Sequence, residues 1–195
     1  MNKEYSIKSK ITSKQIFTIP NILSFVRILL IPIIIYLYCA KSNYLWALII
    51  LAISGLTDVI DGFIARKFNM ITDFGKFIDP LADKSTQIAV LICLVSRFKL
   101  MLLPLVILLV KEVFALILRY VAFKKTGEIK SAEWHGKVST ILLYVLMGIH
   151  IMWFNVNMTL SIILILLVSA VMILSCSLYS LSTIKQILTK IIKNN

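Results

Sequence analysis

Acidic side chains are scarce in this 195-residue chain, which sets nine Asp and Glu against 21 Lys and Arg. The scarcity is uneven. All five aspartates (Asp58, Asp61, Asp73, Asp79, Asp83) fall within one window of 26 residues, and Glu4, Glu112, Glu128 and Glu133 are the only other acids. Cysteine is almost missing as well. Cys39, Cys93 and Cys176 stand singly in apolar runs, which argues against both a disulfide framework and a cysteine metal site. The two histidines, His135 and His150, have no partner at ligand spacing and read as interface or packing residues. No repeat, low-complexity tract or linker divides the chain. The N-terminal lysines (Lys3, Lys8, Lys10, Lys14) lead into an apolar run that is too long for a signal peptide and has no small-residue cleavage site.

What is abundant is apolar. Hydrophobic residues make up 59% and the mean hydropathy is +0.94, against roughly 45–50% apolar content in soluble globular chains. The chain therefore reads as an all-α integral membrane protein with no room for a separate soluble domain. A spanning helix needs about 20 apolar residues, and six such stretches are predicted, at about 21–39, 44–66, 74–95, 102–123, 137–154 and 158–181. Residues 1–17 alternate lysine with apolar positions and suit an interfacial amphipathic segment. Residues 18–184 form the six-helix domain, and 185–195 a basic tail with Lys185, Lys190 and Lys193. Asn21 is expected to cap the first span, and Lys41-Ser42-Asn43 to turn into the second.

The net charge of +12 suggests nucleic acid, but its distribution argues for a membrane. The N-terminal lysines, Arg66, Lys67, Lys76, the lysines of 124–137 and those of the tail fall on one side. Only Lys41, Arg97 and Lys99 fall on the other. The positive-inside rule then puts both termini and the aspartates on the cytoplasmic side of the cell membrane, with anionic lipid headgroups rather than nucleic acid as the partner of the basic surface. Trp46, Trp134 and Trp153 lie near span ends, as belt anchors do. Pro32 and Pro104 are expected to kink or start helices.

A carboxylate costs about 2.5–3.5 kcal/mol at the centre of a membrane helix, so acids here should face a cavity, a partner or a metal. On a helix, Asp58, Asp61, Gly62 and Ala65 share one stripe, and Asp79 and Asp83 project together from the next helix. Four carboxylates converging from two antiparallel helices repel unless a cation neutralises them. Divalent ions such as Mg2+ do so and complete their shells with substrate phosphates. Two ions about 3.5–4 Å apart clamp the attacking and leaving oxygens of a phosphoryl displacement. The small Gly62 and Ala65 leave room for a ligand, and Arg66 is placed to fork onto a phosphate. Helix capping accounts for one aspartate, such as Asp73, but not for two same-face pairs. An ion or proton pathway, as in a cation transporter, accounts for the acids but not for the Gly, Ala and Arg among them.

The run Asp58-x-x-Asp61-Gly62-x-x-Ala65-Arg66, then Gly75-x-x-x-Asp79-x-x-x-Asp83, resembles without substitution the signature of the CDP-alcohol phosphatidyltransferases. Thr18-Ile-Pro-Asn21 followed by Arg27, and Asp73-Phe-Gly-Lys-Phe-Ile-Asp-Pro80, are similar to the flanks of its bacterial members. The likeness runs from about residue 18 to 145. It implies six membrane helices around a cytoplasm-facing polar cavity, a homodimer, and two divalent cations, Mg2+ or Mn2+. It also implies a reaction in which an alcohol hydroxyl attacks the phosphorus of a CDP-linked lipid such as CDP-diacylglycerol, and CMP leaves. Carried over, Asp58, Asp61, Asp79 and Asp83 hold the metals, and Asp83 is the general base. Asp61, Gly62, Ala65, Arg66 and Gly75 line the CDP site, with Thr72 and Asp73 as further nucleotide contacts.

The acceptor is a small polar or lipid alcohol. Glu112 and Arg119 match part of a pattern of members that use glycerol 3-phosphate, Arg-Glu followed seven residues on by Arg, with Lys111 in place of the first arginine. Gly136-Lys137-Val-Ser139-Thr140 resembles their Gly-Lys-x-Lys-Thr, with Ser139 in place of the second lysine. Arg119 and Lys137 are thus the expected acceptor-phosphate contacts. Glu112 is given a structural role, pairing with Lys111. Glycerol 3-phosphate ranks first. Phosphatidylglycerol, the acceptor of cardiolipin-forming members that tolerate a small residue at 139, ranks second.

Overall fold

The computed structural model describes residues 18–68, 72, 75–126, 134–153 and 156–194. The expected interfacial segment 1–17, Asp73 and the polar loop 127–133 lie outside them. The described residues form six α-helices and no strand. These are α1 (Ile19–Ile35), α2 (Tyr44–Lys67), α3 (Gly75–Val95), α4 (Leu102–Thr126), α5 (Trp134–Met152) and α6 (Met158–Asn194).

Local chemistry sets the ends. Pro20 sits in the first turn of α1, where its missing N–H costs no hydrogen bond. The N-cap is Thr18 rather than the expected Asn21, which is left inside the helix to point elsewhere. Past Pro32, α1 runs into a π-helical turn, Tyr36–Ala40. Ser42 then takes a positive φ of 50°, and the Asn43 side chain accepts the Trp46 N–H at 3.4 Å to open α2. The polar turn at 41–43 is thus as expected. A 3-10 turn, Lys99–Met101, precedes α4. The stretch read as a basic tail continues α6 as helix to Asn194. Its 37 residues rise about 55 Å, well beyond the roughly 30 Å hydrocarbon core.

Among the described residues, five helices are long and apolar enough to cross a membrane: Ile19–Ala40, Tyr44–Ala65, Lys99–Ala122, Trp134–Met152 and Met158–Lys185. The chain is a multi-pass membrane protein. The sixth helix, α3, has 21 residues and falls outside that group. The reason is polar: its first half carries Lys76, Asp79, Asp83 and Lys84.

Two compact units divide the chain, residues 1–89 and 90–195. In the first, α1 packs on α2 around Ile34, Tyr38, Ala47 and Leu51. In the second, α4 and α5 each pack on α6, and Leu108, Leu143, Met147, Ile165 and Met172 form the interior. Polar groups are buried beside these apolar interiors, and large apolar side chains cover the outside. Arg27, Ser24 and Thr86 are fully buried, whereas Leu29, Leu56, Val59 and Leu116 are exposed. In lipid, polar groups must find partners inside the protein while apolar side chains face the acyl chains at no cost.

Candidate active site

The site in the first unit is assembled on α2. Asp58 and Asp61 lie on one face of that helix, three residues apart, with Gly62 and Ala65 half-buried beside them. The Asp58 side chain is 44% exposed and that of Asp61 only 4%. Between them stands Arg27 of α1, fully buried. Its Nη1 donates to Asp58 Oδ1 at 2.6 Å, and its Nη2 donates to Asp61 Oδ2. A buried arginine is tolerated only when its charge is matched, and two carboxylates match it.

The same face of α1 reaches α3. Asn21, Ser24 and Arg27 recur every three residues and are all buried. The Ser24 hydroxyl donates to Asp79 Oδ1. Asn21 donates through Nδ2 to Thr72 Oγ1 at 3.2 Å, and the Gly75 N–H donates to that hydroxyl at 2.9 Å. Gly75 is glycine for steric reasons. A Cβ there would stand 2.6 Å from Asn21 Oδ1 and 3.0 Å from Thr72 Oγ1.

Asp83 lies one turn beyond Asp79. Gln87 Nε2 donates to both of its carboxylate oxygens at 3.0 Å, and Lys84 Nζ stands 3.5 Å from Oδ2. Asp79 and Asp83 lie close enough to act electrostatically on Asp58, and Asp58 and Asp79 on Asp61. The chemistry of the donor set fits a divalent ion, because every candidate ligand is a hard carboxylate oxygen. Among the described residues, however, no three acidic, His or Cys side chains close on a common point. The guanidinium of Arg27 sits on two of the four instead.

Of the other expected contacts, Arg66 is in the last turn of α2, and its side chain and Asp73 lie outside the described residues. Arg119 and Lys137 belong to the second unit and are exposed. Arg119 Nε donates to Tyr179 Oη at 3.3 Å, with its Cζ 6.0 Å from the ring centroid. The two residues that depart from the acceptor pattern meet each other: Lys111 Nζ donates to Ser139 Oγ at 3.2 Å. His150 is the packing residue expected. Its Nδ1 stands 2.9 Å from the Leu146 carbonyl, which can only accept, so Nδ1 carries the proton and Nε2 accepts from Ser161 Oγ at 2.9 Å.

Sequence reasoning missed Ser24 and Gln87, and gave Arg27 no role. The signal was present: three polar residues at helical spacing in an apolar span are exceptional enough to count as functional.

The model of the CDP-alcohol phosphatidyltransferase family matches residues 17–183. Among curated proteins, the chain is 36% identical over 138 residues to the CDP-diacylglycerol–glycerol-3-phosphate 3-phosphatidyltransferase of Bacillus subtilis, covering 64% of this chain and 71% of that one. It is 32% identical over 162 residues to the Haemophilus influenzae protein of the same name, covering 80% and 87%. A CMP-forming cardiolipin synthase of Streptomyces coelicolor is 33% identical over 116 residues, covering 57% and 54%.

Proposed function

The chain belongs to the CDP-alcohol phosphatidyltransferase family, and on that premise we propose that it transfers a phosphatidyl group from CDP-diacylglycerol to glycerol 3-phosphate, releasing CMP and forming phosphatidylglycerophosphate. The observation that carries this reading is the placement of Asp58, Asp61, Asp79 and Asp83 in one unit, with Asp58 in electrostatic reach of the other three, in a chain whose relatives bear that activity in their names. Membership in a transferase family replaces the cation-transporter alternative.

In the proposed reaction the acceptor hydroxyl oxygen forms a bond to the phosphorus that carries diacylglycerol. The bond from that phosphorus to the oxygen shared with CMP breaks, and CMP leaves with the electron pair. The proton of the hydroxyl passes to Asp83, whose carboxylate is oriented by the Gln87 amide. Arg66 pairs with the pyrophosphate as a fork, and Gly62 and Ala65 leave space beside it. Two divalent ions, Mg2+ or Mn2+, held by Asp58, Asp61, Asp79 and Asp83, supply electrostatic stabilisation of the charge on the phosphate oxygens. Arg119 and Lys137 contact the phosphate of the acceptor. The enzyme works as a homodimer in the cytoplasmic membrane, with both termini and the active site facing the cytoplasm.

Phosphatidylglycerol as acceptor is the second reading. It is supported by the Streptomyces relative and by Ser139 at a position where glycerol 3-phosphate users carry lysine. The deciding experiment incubates the purified protein with CDP-diacylglycerol, Mg2+ or Mn2+ and each acceptor separately, measuring CMP. Metal-dependent release with glycerol 3-phosphate is expected. Release with phosphatidylglycerol alone would move the protein to cardiolipin synthesis.

A further inference from the structure

We infer that Arg27 is a built-in counter-charge that competes with divalent ions for the aspartate cluster, and so sets how much free metal the protein requires. The inference rests on the reading of Asp58 and Asp61 as metal ligands.

Three observations carry it. The guanidinium is fully buried, and its Nη1 and Nη2 bond directly to one oxygen each of Asp58 and Asp61. Those are the two carboxylates a metal held by Asp58 and Asp61 would draw on, and Arg27 already occupies one oxygen of each. Second, among the described residues Arg27 Nε has no hydrogen-bond partner. The head group is therefore anchored through the two carboxylates, with no third hydrogen bond to pin it when one of them turns away. Third, the two carboxylates differ in access: Asp58 is 44% exposed at its side chain and Asp61 only 4%. An arriving ion meets Asp58 first and contests that bond before the buried one.

The physics favours competition over assistance. A cation seated on two carboxylates cancels much of the field that would attract a second, and inside a protein that field is weakly screened. The alternative, that Arg27 only aligns the carboxylates for metal, predicts the opposite sign: its loss would weaken binding. The neighbouring contact of Ser24 with Asp79 shows what a neutral orienting group looks like at this site. Arg27 differs from it by a full charge.

The test measures Mn2+ binding to the full-length protein in detergent, with the metal alone, by the electron paramagnetic resonance signal of free Mn2+. Wild type, Arg27→Gln, Arg27→Lys and Asp61→Asn are compared. Glutamine keeps a hydrogen-bond donor but removes the charge, and Arg27→Gln is expected to lower the Kd at least tenfold. Lysine keeps the charge on a shorter-reaching single nitrogen that cannot place a separate nitrogen on each carboxylate, so Arg27→Lys is expected to bind more tightly than wild type by a smaller factor. Should Arg27→Gln fail to fold, the lysine variant carries the same comparison. Equal or weaker Mn2+ binding by the folded Arg27 variants overturns the inference. If instead Asp61→Asn binds Mn2+ as wild type does, or none of the four proteins binds it, the metal-site reading itself fails and the inference with it.

Discussion

Gly75→Ala is the sharpest probe of how the first unit is built. The new Cβ would meet Asn21 Oδ1 at 2.6 Å, so about 0.8 Å of separation must be found to reach ordinary contact. Two responses are available. If Asn21 swings away, it forfeits its hydrogen bonds with Thr72, worth about 0.5–1.5 kcal/mol each. If the backbone of α3 moves instead, overpacking costs about 1–3 kcal/mol, and Asp79 is carried away from Ser24. The usual gain from replacing glycine with alanine, about 1 kcal/mol within a helix, is small here because Gly75 is the first residue of α3. The net expectation is a loss of about 1–3 kcal/mol, or several degrees in Tm at about 2–4 °C per kcal/mol for a chain of this size. Thermal unfolding in detergent measures it, alongside CMP release. The control is Asn21→Ala combined with Gly75→Ala. Removing the amide removes the nearer clash and leaves only the Thr72 hydroxyl at 3.0 Å, so Gly75→Ala should cost less in the Asn21→Ala background than in wild type. A Gly75→Ala protein with wild-type Tm and turnover, or a double variant in which the two losses simply add, would refute the reasoning.

Ser24→Ala removes the hydroxyl on Asp79, a charge-assisted bond worth about 1.5–3 kcal/mol. CMP release at fixed Mg2+ should fall about tenfold or more, and Ser24→Thr should restore it; a threonine variant as impaired as alanine would speak against the hydroxyl. Arg119→Ala should raise the KM for glycerol 3-phosphate well above any change in that for CDP-diacylglycerol, and equal effects on both would point to a structural role beside Tyr179. His150→Ala breaks the bonds to Leu146 and Ser161. It should lower Tm, at a cost of about 2–4 kcal/mol for a buried, doubly bonded ring, and leave the KM for both substrates near wild type. A change in KM at unaltered Tm would place His150 in the reaction.

The helices were readable because membrane insertion is a local matter of composition. A run of about 20 apolar residues decides its own state, since every backbone group must bond within the segment. The polar turn at 41–43 and the absence of any strand among the described residues follow from that. The start of α1 was less legible. Asn21 has the chemistry of a cap, yet Thr18 occupies the N-cap position, because Asn21 is drawn to Thr72, 51 positions along the chain. Gln87 escaped for a similar reason: its value lies in the carboxylate one turn away, and an amide in a polar helix half attracts no notice by itself.

The sequence by itself determined the membrane-embedded helical class, the family and the four carboxylates, because hydropathy and the spacing of acids along a helix are properties of contiguous chain. Only the tertiary structure decided what stands against those carboxylates. Arg27, Ser24 and Asn21 meet Asp58, Asp61, Asp79 and Thr72 across 31 to 55 positions of sequence, and no local pattern encodes which buried charge will find which partner. That pairing is fixed when α1 packs on α2, where a guanidinium excluded from lipid has to be matched by acids within reach.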